Sequence, residues 1–163
     1  MPPRRHVVCA LVLATLLAAA LAAAPLAGAA DGKRDAHAVA EAPGPGERAA
    51  RIALQAVGAP YRYGGESPAS GFDCSGLVRW AYGQVGIELP HSSYALALAG
   101  RRVAPSRLEP GDLLFFEGLG HVGLYLGGGR MVHAPQSGRR VEVQRLSGWY
   151  AERLVGARRV ALA

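Results

Sequence analysis

Lysine is almost missing from this chain: Lys33 is the only one, so arginine carries nearly all of the positive charge. Cysteine is scarce, with Cys9 and Cys74 the only two. No pair of closely spaced cysteines or histidines marks a structural zinc site. Internal repeats are absent, and so are helix-turn-helix, zinc-finger and single-strand-binding signatures. The basic residues sit in scattered pairs (Arg101-Arg102, Arg139-Arg140, Arg158-Arg159) without interleaved aromatics, which argues against a nucleic-acid partner. A modest excess of positive charge, +6 over 163 residues, keeps a surface soluble and favours anionic polymers.

No acidic residue precedes Asp31. Arg4 and Arg5 open the chain, Val7 to Ala24 is apolar apart from Cys9 and Thr15, and small residues follow Pro25. That layout predicts a secretory signal peptide over 1–30, with a retained membrane anchor as the competing reading. Cleavage would leave no stable membrane insertion. It would also remove Cys9, so that the exported protein holds a single thiol with no internal disulfide partner. Such a thiol is either buried and inert or reactive. Residues 31–47 are rich in Ala, Pro, Gly and charge and read as a flexible linker. Residues 48–163 have the length of one small domain, expected to act as a monomer in the periplasm, cell envelope or extracellular space.

Within that domain, Ala50, Ala53, Leu54 and Val57 recur at helical spacing, with Gly58 as a stop. Tyr61 to Gly65 reads as extended and Glu66 to Gly71 as a loop. Asp73 is placed to cap a second helix whose apolar face is Leu77, Val78, Ala81, Tyr82 and Val85. Ser92 or Ser93 would cap a third. The pattern then changes to strands: Leu113–Phe116 after the turn Glu109-Pro110-Gly111-Asp112, an alternating run from His121, a return through Arg130–His133, and segments near Val141 and Val155. Helices first and an antiparallel sheet second predict an α+β fold.

Cys74 falls in the first turn of the second helix, where backbone N–H groups and the helix dipole favour a thiolate and offer an oxyanion site. Asp73 and Ser75 make its surroundings polar. Two histidines downstream, His121 and His133, supply a base and a group to orient it. Geometry imposes a condition on them. If Gly127–Gly129 form a three-residue loop, paired positions sum to 256 and both rings share a face; a two-residue loop puts them on opposite faces. The catalytic reading therefore requires an odd loop or a bulge. A zinc site of Cys74, His121 and His133 is the chemical alternative, disfavoured by the ligand spacing. His91 and His37 read as structural or solvent-exposed.

Six segments occur in an order that resembles the NlpC-type cell-wall peptidases, a branch of the papain-like cysteine peptidase superfamily. They are Tyr61-Arg62-Tyr63-Gly64-Gly65, Asp73-Cys74-Ser75-Gly76-Leu77-Val78, Leu89-Pro90-His91-Ser92, Pro110-Gly111-Asp112-Leu113, His121-Val122-Gly123-Leu124-Tyr125 and Val132-His133-Ala134. The resemblance implies a papain-like α+β fold with Cys74 as nucleophile, His121 as base and His133 as the orienting third residue. It implies Tyr61 near the oxyanion, and Asp73, Ser75 and Ser92 near the substrate. The implied substrate is the peptidoglycan stem peptide, cut between γ-linked D-glutamate and the diamino acid at position three, with no metal or cofactor. An amidase or acyltransferase on the same fold, and a non-catalytic wall-binding protein, are the alternatives. No accessory wall-binding segment is recognisable, which leaves substrate capture to the groove and the basic surface.

Overall fold

The computed structural model describes residues 42–160. The expected signal segment and most of the linker, with Cys9 and His37, lie outside the described residues. Among the described residues no helix is long and apolar enough to cross a membrane.

The first helix, α1, runs Pro45–Gln55, starting inside the segment read as linker. Gly44 in extended conformation and Pro45 in the first turn start it, because proline lacks the N–H that would be unpaired there. Its buried face is Ala49, Ala50 and Ala53, whereas Leu54 and Val57 are exposed. The expected apolar stripe is thus rotated: small alanines let α1 lie close against its neighbour. That neighbour is α2, Cys74–Gly83, capped by the Asp73 side chain, which accepts from the Gly76 N–H. Its face of Leu77, Val78, Ala81 and Tyr82 is fully buried, each large side chain contributing roughly 1.5–3 kcal/mol by leaving water. The buried Tyr82 hydroxyl donates to the Gly111 carbonyl at 2.7 Å and ties α2 to the Glu109–Asp112 turn.

The segment read as a loop after Gly65 is a small hairpin, β1 (Glu66–Ser67) against β2 (Gly71–Phe72). Two-residue strands leave no periodicity to read. A short helix α3, Ser93–Leu96, is capped by Ser92.

The remaining strands form one antiparallel six-stranded sheet in the order β3-β8-β4-β5-β6-β7: β3 (Arg101–Arg102), β4 (Leu113–Phe116), β5 (Val122–Gly127), β6 (Arg130–His133), β7 (Glu142–Arg145) and β8 (Leu154–Arg159). A last short helix, α4 (Trp149–Glu152), precedes β8. Leu113, Phe115, Val122, Leu124 and Val132 join the helices in the main core. Leu114, Phe116, Met131 and Ala157 form a second, smaller cluster with Tyr150 beside it. Asp112, nearly inaccessible, holds Arg159 in two hydrogen bonds of 2.7 and 2.8 Å and so clamps β8 to the turn before β4.

Candidate active site

The β5–β6 hairpin decides whether the two histidines can cooperate. Leu124 pairs with Val132 and Tyr125 with Met131, both sums being 256, but Gly127 pairs with Arg130. A bulge between Tyr125 and Gly127 absorbs the extra residue, and the turn itself is Gly128-Gly129. All three glycines have positive φ, 89°, 59° and 67°, which few other residues adopt cheaply. Of the two devices that satisfy the condition, the chain uses the bulge. The result is a hydrogen bond of 2.8 Å between His121 Nε2 and His133 Nδ1, the rings meeting edge to face at 5.0 Å. Gly123 lies between them, and a Cβ there would press on Met131 Sδ and His133 Cβ.

His133 is fully buried. Two aromatic rings that the sequence reading did not single out enclose the pair: Tyr150 stands edge-on to His133 at 5.2 Å, and Phe116 lies 5.6 Å from His121 and 5.4 Å from Tyr150. Tyr150 arrives from α4, far along the chain and without a motif to announce it.

Cys74 is half-buried at the start of α2 and rests against the segment that carries His121. Its Sγ is 4.0 Å from the Gly120 carbonyl. Burial pushes its thiol up; the Val122 N–H pulls it down, the Asp73 charge pushes it up again, and the amides of Ser75 and Cys74 itself lower it. Burial outweighs the rest, so the net direction is upward, against the pull of the helix dipole. Burial likewise lowers His121 to about 4 and drives His133 down, helped by His121 and Arg139. Both shifts favour a neutral thiol beside a neutral imidazole. The first-turn amides of Cys74 and Ser75 lack partners within the helix and can receive an oxyanion. The Tyr61 hydroxyl is pushed up by burial and then by Cys74 and Asp73, so it stays protonated.

The other candidates are tied into the protein's own framework by hydrogen bonds. Asp73 accepts from the Gly76 N–H (2.7 Å), the Gly64 N–H (2.8 Å) and the Ser75 hydroxyl (3.1 Å). Ser92 accepts from the Ala95 N–H in its own short helix. His91 stands beside them: its Nε2 is 3.0 and 3.1 Å from the two Asp73 oxygens, and its Nδ1 is 3.2 Å from Glu66, which pairs with Arg79. His91 thus braces the cap beneath Cys74, a structural role that its place beside Pro90 did not specify.

Next to His121 a polar cleft of about 440 Å³ opens between Arg139, Glu142, Gln144, Trp149 and Tyr150. A mostly apolar cavity of about 450 Å³ lies elsewhere, between Gly46, Tyr82, Pro110 and Arg159, and touches none of the reactive groups. Among the described residues no three His, Cys, Asp or Glu side chains are grouped to hold a metal.

Known proteins resemble this chain in sequence and in fold. A probable endopeptidase of Mycobacterium tuberculosis is 54% identical over 101 residues, spanning 60% of this chain and 26% of that protein. The murein DD-endopeptidase of Escherichia coli is 41% identical over 128 residues (70% and 47%), and the gamma-DL-glutamyl hydrolase of Bacillus subtilis 39% over 110 (63% and 26%). The chain thus spans a quarter to a half of the length of these relatives. The solved structure of a peptidoglycan hydrolase from M. tuberculosis superposes with a TM-score of 0.64 at 34% identity, covering 73% of this chain and 66% of that one. Residues 58–159, nearly the whole of the described domain, match the NlpC/P60 family. The α+β, papain-like domain built around Cys74 and the paired histidines belongs to the NlpC/P60 family.

Proposed function

We propose that this domain is an exported cysteine endopeptidase that hydrolyses peptidoglycan stem peptides at the bond between γ-linked D-glutamate and the diamino acid. One observation carries the reading: the 2.8 Å bond between His121 Nε2 and His133 Nδ1, which leaves Nδ1 of His121 for the thiol at the capped start of α2. The substrate class is supported by the endopeptidase and peptidoglycan hydrolase names of its relatives. The name of the B. subtilis relative supports a γ-glutamyl linkage without naming the residue that follows it, while the E. coli relative is named for a DD bond.

From a neutral pair the reaction begins with proton transfer. His121 takes the Cys74 proton as sulfur attacks the peptide carbonyl, so charge appears only when the carbonyl carbon can accept it. The amides of Cys74 and Ser75, with the Tyr61 hydroxyl, receive the oxyanion. His121 then gives its proton to the leaving amine, a thioester remains, and water activated by His121 releases the acid and restores the thiol. His133 holds the His121 ring in place through both steps. Cys74→Ala, with its fold checked by circular dichroism, is expected to abolish cleavage of a defined tripeptide-to-pentapeptide stem panel read by mass spectrometry. Retained hydrolysis overturns the nucleophile. Products cut at a D-Ala–diamino acid cross-link, a transferred acyl group, or binding without turnover would each replace the proposed reaction with another.

A further inference from the structure

His133 is fully buried, its Nδ1 is committed to His121, and its Nε2 is buried with no hydrogen-bond partner among the described residues. Buried polar atoms of this kind are rare and ask for an explanation. The residue directly across the β6–β7 ladder from His133 is Glu142, whose Oε1 stands 3.7 Å from the orphan nitrogen. That is too long for a hydrogen bond but within an ordinary side-chain adjustment of one. Glu142 is partly exposed, and both its oxygens accept from Nη2 of Arg139, at 3.0 and 2.8 Å. Four groups face the His133 ring: His121 from the start of β5, Glu142 from β7, Arg139 from the turn before it, and Tyr150 from α4.

Resting on the peptidase reading above, we propose that Glu142 is a positioning residue that fixes the tautomers of both histidines by accepting a hydrogen bond from the N–H at His133 Nε2. Proton counting gives the reason. Two neutral imidazoles in contact share one N–H between them. If His133 carries its proton at Nε2, toward Glu142, its Nδ1 is an acceptor. His121 must then be protonated at Nε2, and its Nδ1 presents a lone pair to Cys74. If His133 carries its proton at Nδ1, it donates to His121 Nε2. His121 then presents an N–H to the thiol and cannot act as its base. Burial alone does not choose between these states; a carboxylate at Nε2 does. The same carboxylate balances the charge on the pair when His121 takes the thiol proton. Arg139 holds Glu142 at the rim of the cleft and limits how far it can turn away.

The test is long-range ¹H–¹⁵N correlation spectroscopy of the histidine rings, with steady-state kinetics on a defined stem peptide, for the wild type, E142Q and E142A. We expect the Nε2–H tautomer of His133 in the wild type. In E142A we expect a mixed or Nδ1–H form, kcat lower by roughly 10- to 100-fold as for other lost orienting partners, KM within about twofold, and the acid limb of the kcat profile moved to lower pH. E142Q keeps a carbonyl acceptor but no charge, so it should keep the tautomer and most of kcat while showing the same acid-limb shift. An unchanged His133 tautomer in E142A overturns the proposal, as does a kcat loss fully explained by a lower folded fraction in thermal unfolding. The tautomer readout needs no turnover, so it tests Glu142 even if the stem peptides prove not to be substrates.

Discussion

Replacing Asp73 should cost both stability and turnover, because one carboxylate organises everything beneath Cys74. It accepts from the Gly76 N–H at the helix start and from the Gly64 N–H in the preceding loop, and it anchors Ser75 and His91. Loss of an N-cap costs about 1 kcal/mol, and leaving the Gly64 N–H and His91 Nε2 unpaired adds about 2 kcal/mol. Asp73→Ala should therefore lose about 3 kcal/mol, or roughly 12 °C in Tm for a domain of this size. Asp73→Asn keeps one oxygen but turns an N–H₂ group toward donors, and about 2 kcal/mol is expected. The pH dependence separates charge from shape. Burial alone would raise the Asp73 carboxyl, but hydrogen bonds from Gly76, His91 and Gly64 outweigh it and hold the group below its ordinary value. A depressed carboxyl stabilises the fold above its unfolded value of about 3.9. That contribution disappears as pH falls through the folded value. Differential scanning calorimetry from pH 3 to 7 should show the gap between wild type and Asp73→Asn narrowing toward the acid end. A gap that is constant with pH, or an Asp73→Ala protein within about 3 °C of wild type and fully active, would refute the reasoning.

Gly76→Ala directs a methyl into the Gly65 carbonyl oxygen and the His91 ring; a loss of about 1–3 kcal/mol in urea unfolding is expected, and an unaltered midpoint argues against the close approach. Iodoacetamide alkylation of Cys74 should be slow at pH 6 and rise only above the ordinary thiol range of about 8.5, because burial raises the thiol; a plateau below pH 7 would reveal a preformed thiolate. Since burial lowers His121 to about 4 and the proposed mechanism uses its neutral form, kcat/KM should hold through mildly acidic pH and fall only as pH drops through that value; loss centred near 6.5 contradicts a dry base. Arg159→Met leaves the buried Asp112 carboxylate without its guanidinium partner. The expected cost in urea unfolding is about 3–5 kcal/mol, with kcat unchanged in the folded protein; a loss below about 1 kcal/mol would show that the clamp does not matter.

Much of the site lies in short local patterns and is legible for that reason. The cap at Asp73, the apolar face of α2 and the alternation around β5 each depend on residues within one turn or one strand. The pairing of His121 with His133 is also readable as a condition, since side-chain alternation makes register and facing the same question. Sequence does not choose between an odd loop and a bulge, because three consecutive glycines adopt either at similar cost. The hairpin β1–β2 is too short to show a period. Tyr150, Phe116 and His91 reach the site through tertiary contacts, which no local pattern encodes. The rotated face of α1 arises because close helix contact selects small residues there over larger apolar ones.

The protonation state of Cys74 exposes the deeper reason why local reading falls short. A helix N-terminus lowers a thiol by dipole and amides acting within one turn, whereas desolvation depends on every element that shuts water out. Here α2, the Gly120–Val122 segment and the aromatic wall of Phe116 and Tyr150 all contribute to that exclusion around the thiol and the paired rings. The same dryness that suppresses the resting ion pair strengthens each dipole aimed at the oxyanion. A thiol that stays protonated until a carbonyl is in place is also less exposed to oxidation, which proceeds through the thiolate. On the proposed mechanism, burial therefore lowers idle reactivity and raises selectivity for a bound acyl group in one step, provided that the histidine tautomers are set correctly before the substrate arrives.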